Sequence, residues 1–68
     1  MQSGDVVVIG AFDEVPEHWF LIDEVLDGCV TGVALTGPLA GEYGEPEVER
    51  IVRVVDPEEV ALGTQLPK

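Results

Sequence analysis

The chain has 68 residues and a formal charge of −11, with 14 acidic side chains and only three basic ones. The first Lys or Arg in the chain is Arg50, although eleven carboxylates precede it. A domain this small cannot bury so much charge, and its negative field argues against binding to DNA, RNA or anionic lipid and favours basic partners.

Apolar residues make up 46% of the chain, too many for an acidic disordered tail, which predicts one folded domain over 1–68 with its core in 4–66. Cys29 is the only cysteine, so no intramolecular disulfide can form, and a reducing, cytoplasmic location is expected. The N-terminus lacks the features of a signal peptide, and no stretch reaches the ~20 apolar residues of a membrane span.

Two strands are predicted before the middle of the chain. Val6 to Ile9 is a continuous β-branched run, which is typical of a strand buried on both faces or one that closes a small barrel. His18 to Leu26 is the second, and strand alternation places Phe20, Ile22 and Leu26 on one of its faces.

Asp27 and Gly28 stand between two apolar runs and predict a β-hairpin. An Asp-Gly pair favours a type I′ turn, in which both residues have a positive φ. The returning strand is predicted over 29–36, and Gly32 within it indicates a bulge or a sharp bend.

The segment 37–47 is rich in Gly, Pro and Glu and is predicted to be a long surface loop. For 48–55 two patterns compete. The spacing of Val48, Ile51, Val52 and Val55 is helical, whereas five of the eight residues are Val or Ile, which favours a strand. We predict a strand.

A short helix is predicted over 57–62. Asp56 has the character of an N-cap, Pro57 suits the first helical position, Glu59 completes a capping box, and Gly63 would end the helix. A closing strand is predicted over 64–66.

This order of elements resembles that of small SH3-like barrels. The resemblance is carried by the strand that opens at Gly4-Asp5, by the Asp27-Gly28 hairpin and by a helical turn before the last strand. It implies a mainly β, five-stranded, partly open barrel with one short helical turn near the C-terminus. Such barrels mostly bind proteins, peptides or nucleic acid. The chain departs from those that bind nucleic acid, because it has no basic patch, and from the proline-binding kind, because its aromatic residues are few.

Asp13, Glu14, Glu17 and His18 crowd one predicted loop and raise the question of a divalent cation. The spacing of a calcium-binding loop is absent, and a zinc site would need a second His. We therefore interpret the segment as a solvated acidic loop with a surface His18, and we expect no metal and no cofactor.

The expected function is a non-catalytic, acidic interaction module that docks a basic protein surface. A sharper version is an inhibitor that mimics nucleic acid, and the alternative is a small structural subunit or homo-oligomer that pairs through a β edge. An enzyme ranks last. Trp19 suits either an interface anchor or the core. The predicted partner-binding residues are Asp13, Glu14, Glu17, Trp19, Glu42, Tyr43 and Glu45.

Overall fold

The computed structural model describes residues 1–64, with the side chains of 1–62. Its elements are β1 (Val6–Ile9), β2 (His18–Val25), β3 (Val30–Ala34), β4 (Tyr43–Gly44), a 3₁₀ turn (Val48–Arg50), β5 (Ile51–Val54) and α1 (Pro57–Thr64). The strands form one antiparallel sheet in the order β4-β3-β2-β1-β5. The prediction of a mainly β, five-stranded fold, open between its edge strands and with a short helix near the C-terminus, is confirmed.

The first strand is buried on both faces, as its β-branched run predicts. Successive side chains of a strand point to opposite faces, so β1 contributes to two separate hydrophobic clusters. The inner cluster contains Val7, Ile9, Phe20, Ile22, Val30 and Ala34. The outer cluster contains Val6, Val8 and Val55, and the partly buried Trp19, Leu35 and Val60 pack against it. Since Val60 belongs to α1, the helix covers the outer face of β1.

The hairpin between β2 and β3 lies where it was predicted, but its turn is of another type. The backbone N–H of Leu26 donates to the carbonyl of Cys29 over 2.8 Å. Gly28 has a φ of +87°, whereas Asp13 is the one non-glycine residue in 1–64 with a positive φ. Asp27 therefore lacks the positive φ that a type I′ turn requires, and that prediction is wrong.

The bulge indicated by Gly32 is present, and the extra residue lies on the opposite strand. Ile22 faces Gly32 and Glu24 faces Thr31, so Asp23 of β2 has no partner in β3. An extra residue reverses the alternation of the faces beyond it. Leu26 is consequently exposed and does not join Phe20 and Ile22 in the inner cluster, contrary to our expectation.

The second half of the predicted loop 37–47 is paired with β3. Gly32 faces Gly44, Val33 faces Tyr43, and Cys29 bridges to Glu47, all in one register. Backbone bonds at 3.0 to 3.1 Å extend this pairing over 42–48. The loop prediction is therefore wrong for this half, because long-range pairing outweighs a composition with few strand-forming residues.

The segment 48–55, whose sequence fits a helix or a strand, contains both a helical turn and a strand. Val48–Arg50 form the 3₁₀ turn, which accounts for the helical spacing at the start. Ile51–Val54 form β5, which pairs with β1. The predicted strand is thus present from Ile51 onward.

The predicted start of α1 is confirmed. Asp56 accepts a hydrogen bond from the N–H of Glu58 through Oδ1 at 3.0 Å, and its carbonyl accepts the N–H of Val60 at 2.9 Å. The first bond satisfies an N–H group of the first turn that has no partner inside the helix, and the second is the first bond of the helix itself.

The remaining helix predictions are corrected. The Glu59 carboxylate binds Arg53 instead of returning to the N-cap, so the ion pair replaces the capping box. The helix continues through Gly63 to Thr64, so Gly63 does not end it. Of the strand predicted over 64–66, Thr64 is helical and the other two residues lie outside the described part of the chain.

Candidate binding groove

A groove with a volume of about 390 Å³ opens along β4, and we call it the edge groove. Ile9, Phe20 and Ala34 of the inner cluster line its base, and each is only 1 to 3% exposed. The partly buried Phe12 and Leu39 contribute the apolar surface that remains accessible there. We call these five residues the apolar floor.

Carboxylates line the β4 side of the edge groove. Glu42, Glu45 and Glu47 all contribute to its lining, and all three are exposed. An acidic rim over an apolar floor suits a ligand that combines an apolar group with positive charge.

The opposite wall is built on Phe12. The guanidinium of Arg50 lies 4.6 Å from the centre of the Phe12 ring, within the range of a cation–π contact. Phe12 is held by a tight turn, because Phe12 and Val15 exchange backbone hydrogen bonds of 2.9 and 2.7 Å. The tip of that turn is formed by Asp13, with a φ of 50°, and Glu14.

His18 is buried at the end of the groove, with only 5% of its surface exposed, so the expectation of a surface histidine is wrong. Its Nδ1 lies 2.9 Å from the carbonyl oxygen of Pro16. A carbonyl only accepts, so Nδ1 donates this bond. Phe12 packs on the ring with centroids 6.4 Å apart. His18 therefore acts as a structural link between the turn and the sheet.

Tyr43 and Glu45 are bonded to each other at the groove. The Tyr43 hydroxyl donates to Oε2 of Glu45 over 2.8 Å. This hydrogen bond is the main reason that the pKa of Tyr43 is raised, and partial desolvation and the charge of Glu45 add to the effect. The bond keeps the phenol protonated and orients the Glu45 carboxylate.

The other face of the sheet carries the ion pair between Arg53 and Glu59. Nη1 and Nη2 of Arg53 donate to Oε1 and Oε2 of Glu59 at 3.1 and 3.0 Å. Hydrogen bonding to Arg53 lowers the pKa of the Glu59 carboxyl, and the same bonds raise the pKa of Arg53. Both side chains are about half exposed, so the pair positions α1 and contributes little to global stability.

The structure separates the predicted partner-binding residues into three places. Glu42, Tyr43 and Glu45 lie together on the edge groove. Glu17 and Trp19 line a polar depression on the outer face, where Trp19 also packs on the outer cluster. The remaining two, Asp13 and Glu14, form the tip of the turn behind Phe12. Sequence reasoning missed Glu47, Phe12, Leu39 and Arg50.

Of these four residues, only Glu47 could have been identified from a pattern in the sequence. Glu47 continues the acidic series of 42–47 and follows from the same charge pattern. Phe12, Leu39 and Arg50 come from three separate segments that only the folded sheet brings together. No spacing in the sequence could have associated them.

Two further observations define what the described residues contain. In the part of the chain that the structure describes, no three His, Cys, Asp or Glu side chains converge as they would around a metal ion. Within 1–64, no helix has the length and apolar character of a membrane span.

Comparison with family models, with curated protein sequences and with solved structures found no match to this chain.

Proposed function

We propose that this protein is a non-catalytic binding module that docks a basic protein surface against the edge groove. The observation that carries the proposal is an apolar floor bordered by an edge strand whose exposed residues include Glu42, Glu45 and Glu47. An apolar floor supplies contact area, and the charged rim selects a cationic partner.

The charge of the whole molecule supports the same conclusion. A formal charge of −11 produces a field that accelerates the approach of cationic partners and repels anionic ones. Arg53 is bound to Glu59, so one of the few cations is already neutralised within the fold. Binding of this kind weakens as salt screens the charges.

The test is capture of cytosolic proteins on the immobilised chain at low and high salt. Raising the salt from about 0.1 M to 1 M shortens the screening length from roughly 10 Å to 3 Å. Basic proteins, identified by mass spectrometry, should be retained at low salt and released at high salt. The affinity of each captured protein is then measured with purified components by titration calorimetry.

A pair of matched variants separates the groove from general acidity. The groove variant carries Glu42→Gln, Glu45→Gln and Glu47→Gln, and it should lose the captured proteins. The control carries Glu24→Gln, Asp27→Asn and Glu58→Gln, which remove the same three charges at exposed positions away from the groove. Equal retention by both variants would contradict docking at the edge groove.

Mimicry of nucleic acid is a narrower form of this proposal. Carboxylates at the groove rim would then occupy the phosphate-binding cleft of a DNA- or RNA-binding protein. Competition between this chain and a DNA oligonucleotide for each captured protein distinguishes the two forms. An unchanged DNA affinity in the presence of stoichiometric chain would reject mimicry for that partner.

The exposed edge strand β5 favours a second candidate, a homo-oligomer or structural subunit. Val52 and Val54 lie in this strand at the edge of the sheet, and their side chains are 60% and 48% exposed. Apolar, unpaired edges are typical sites of strand pairing between chains. Sedimentation at micromolar concentration tests this candidate, and a strict monomer at high salt would reject the homo-oligomer.

A further inference from the structure

The segment 42–48 runs antiparallel to 28–34 in one continuous register. Three backbone bonds define the ladder: Ala34 N–H to the Glu42 carbonyl at 3.1 Å, Val30 N–H to the Pro46 carbonyl at 3.0 Å, and Val48 N–H to the Gly28 carbonyl at 3.1 Å. The facing pairs of β3 and β4 lie in the same register. This part of the chain is therefore a longer edge strand than Tyr43–Gly44 alone.

The ladder also determines which backbone groups face away from the sheet. In an antiparallel pair, alternate residues direct both backbone groups to the neighbouring strand, and those between them direct theirs to the other side. The even-numbered residues of 42–48 bond to β3, so Tyr43, Glu45 and Glu47 point away from it. Since β4 is the terminal strand of the sheet, the backbone groups of Tyr43 and Glu45 and the N–H of Glu47 are open. The Glu47 carbonyl is not, because it accepts the N–H of Arg50 at 2.9 Å.

The open row borders the edge groove. Residues 42–47 all contribute to the groove lining, opposite Phe12 and Arg50. A chain that paired with this edge would therefore place alternate side chains over the apolar floor. Gly44 packs near Phe20, so Glu45 and Glu47 lie on the opposite face of the strand. The other side chains of the added chain would lie beside these two carboxylates.

We propose that the edge groove binds an extended segment of a partner protein as a sixth strand, paired with the backbone of Tyr43 and Glu45. This inference rests on the proposed function and specifies its ligand: a segment in which apolar and basic residues alternate. Apolar side chains contact the apolar floor, chiefly Phe12 and Leu39, and Lys or Arg side chains pair with Glu45 and Glu47. Charge complementarity selects this occupant over a second copy of the chain, whose rim carries the same negative charge.

The probe is a hexapeptide of alternating Lys and Val with blocked ends. Two isomers carry N-methyl groups, one on the Lys amides and the other on the Val amides. All three peptides have the same charge, so a difference in affinity between them reports hydrogen bonding by the backbone. A strand added to one edge uses only alternate amides, so one methylated isomer should bind at least about tenfold more weakly and the other should bind as the parent does.

Amide hydrogen exchange locates the pairing. The parent peptide should slow exchange at Tyr43, Glu45 and Glu47, whereas Val54, in the other edge strand, serves as the control and should not change. Salt-sensitive binding with equal affinity for all three peptides would overturn strand addition and leave the proposed function standing. Loss of binding with both isomers would also overturn it. Failure of every peptide and of every basic protein to bind would reject both proposals.

Discussion

Gly32 and Leu21 approach each other so closely that a Cβ on Gly32 would overlap the carbonyl oxygen of Leu21. The approach lies next to the Asp23 bulge, where β2 bends across β3. The close pairing of β2 with β3 beside the bulge therefore depends on a residue without a side chain.

Gly32→Ala should destabilise the fold by about 3 kcal/mol or more, because the clash is with backbone and no rotamer relieves it. Gly4→Ala is the matched control. Gly4 has a φ of +93° but nothing within 4 Å, so its substitution introduces backbone strain of roughly 1 kcal/mol without a clash. Urea denaturation measures both, and equal losses would show that Gly32 is not required for the close approach.

Because of the bulge, two substitutions in and just after β2 should lower the free energy of unfolding by different amounts. Ile22→Val should lower the free energy of unfolding by about 1 kcal/mol, because Ile22 is 1% exposed in the inner cluster. Leu26→Ala removes more atoms but should cost no more than about 0.5 kcal/mol, because Leu26 is 44% exposed. The opposite ranking in urea denaturation would place Leu26 in the core.

The bond between Tyr43 and Glu45 predicts a high phenol pKa. Tyr43 is the only tyrosine, so an ultraviolet absorbance titration follows it directly. Its pKa should lie above the ordinary value, and Glu45→Gln should lower it, because the charged acceptor is removed. Since the folded pKa is raised, the bond stabilises the fold below the unfolded pKa, and this contribution disappears as the pH rises through the folded pKa.

Circular dichroism across the same pH range must show that the chain stays folded during the titration. A Tyr43 pKa that is identical in the parent and in Glu45→Gln would contradict the hydrogen bond.

The ion pair of Glu59 predicts the opposite dependence, at acid pH. Arg53 lowers the pKa of Glu59, so the contribution of the pair is present above the unfolded carboxyl pKa and disappears as the pH falls through the folded one. Carbon NMR of the side-chain carboxyls should show Glu59 titrating below its ordinary range. Arg53→Gln should return the pKa towards that range, and an unchanged value would argue against the pair in solution.

Arg50 carries a positive charge at the edge groove and should repel a basic ligand. Arg50→Gln should increase the affinity for the Lys-Val hexapeptide by about twofold, since it removes a like charge from the wall opposite Glu45. Arg53→Gln also removes one positive charge, but on the outer face, and is the control for net charge. An equal gain with both variants would show that the effect comes from the overall field.

Features with a local physical cause could be predicted from the sequence. The β-branched run of β1, the position of the Asp27-Gly28 hairpin, the irregularity at Gly32 and the N-cap Asp56 each depend on a few adjacent residues. The pairing of 42–48 depends on β3, far away in the chain, and its Gly, Pro and Glu content conceals it. His18 was placed on the surface because its burial depends on the turn that brings Phe12 over its ring.

The same distinction holds for the candidate groove. Glu42, Tyr43 and Glu45 were predicted because acidic charge and a loop aromatic are visible in the sequence. Its apolar floor could not be predicted as a surface, because Ile9 and Phe20 have the composition of ordinary core residues. Only the folded sheet shows that these residues line the base of a groove.

The first strand, β1, takes its two neighbours from parts of the chain that are far apart in sequence. Val7 faces Phe20 in β2 and Val54 in β5. The pairing of β1 with β2 closes a short connection, whereas its pairing with β5 joins segments far apart in the sequence. Because closing the longer loop costs more entropy, we expect the β5 side of the first strand to be the last to be covered as the chain folds.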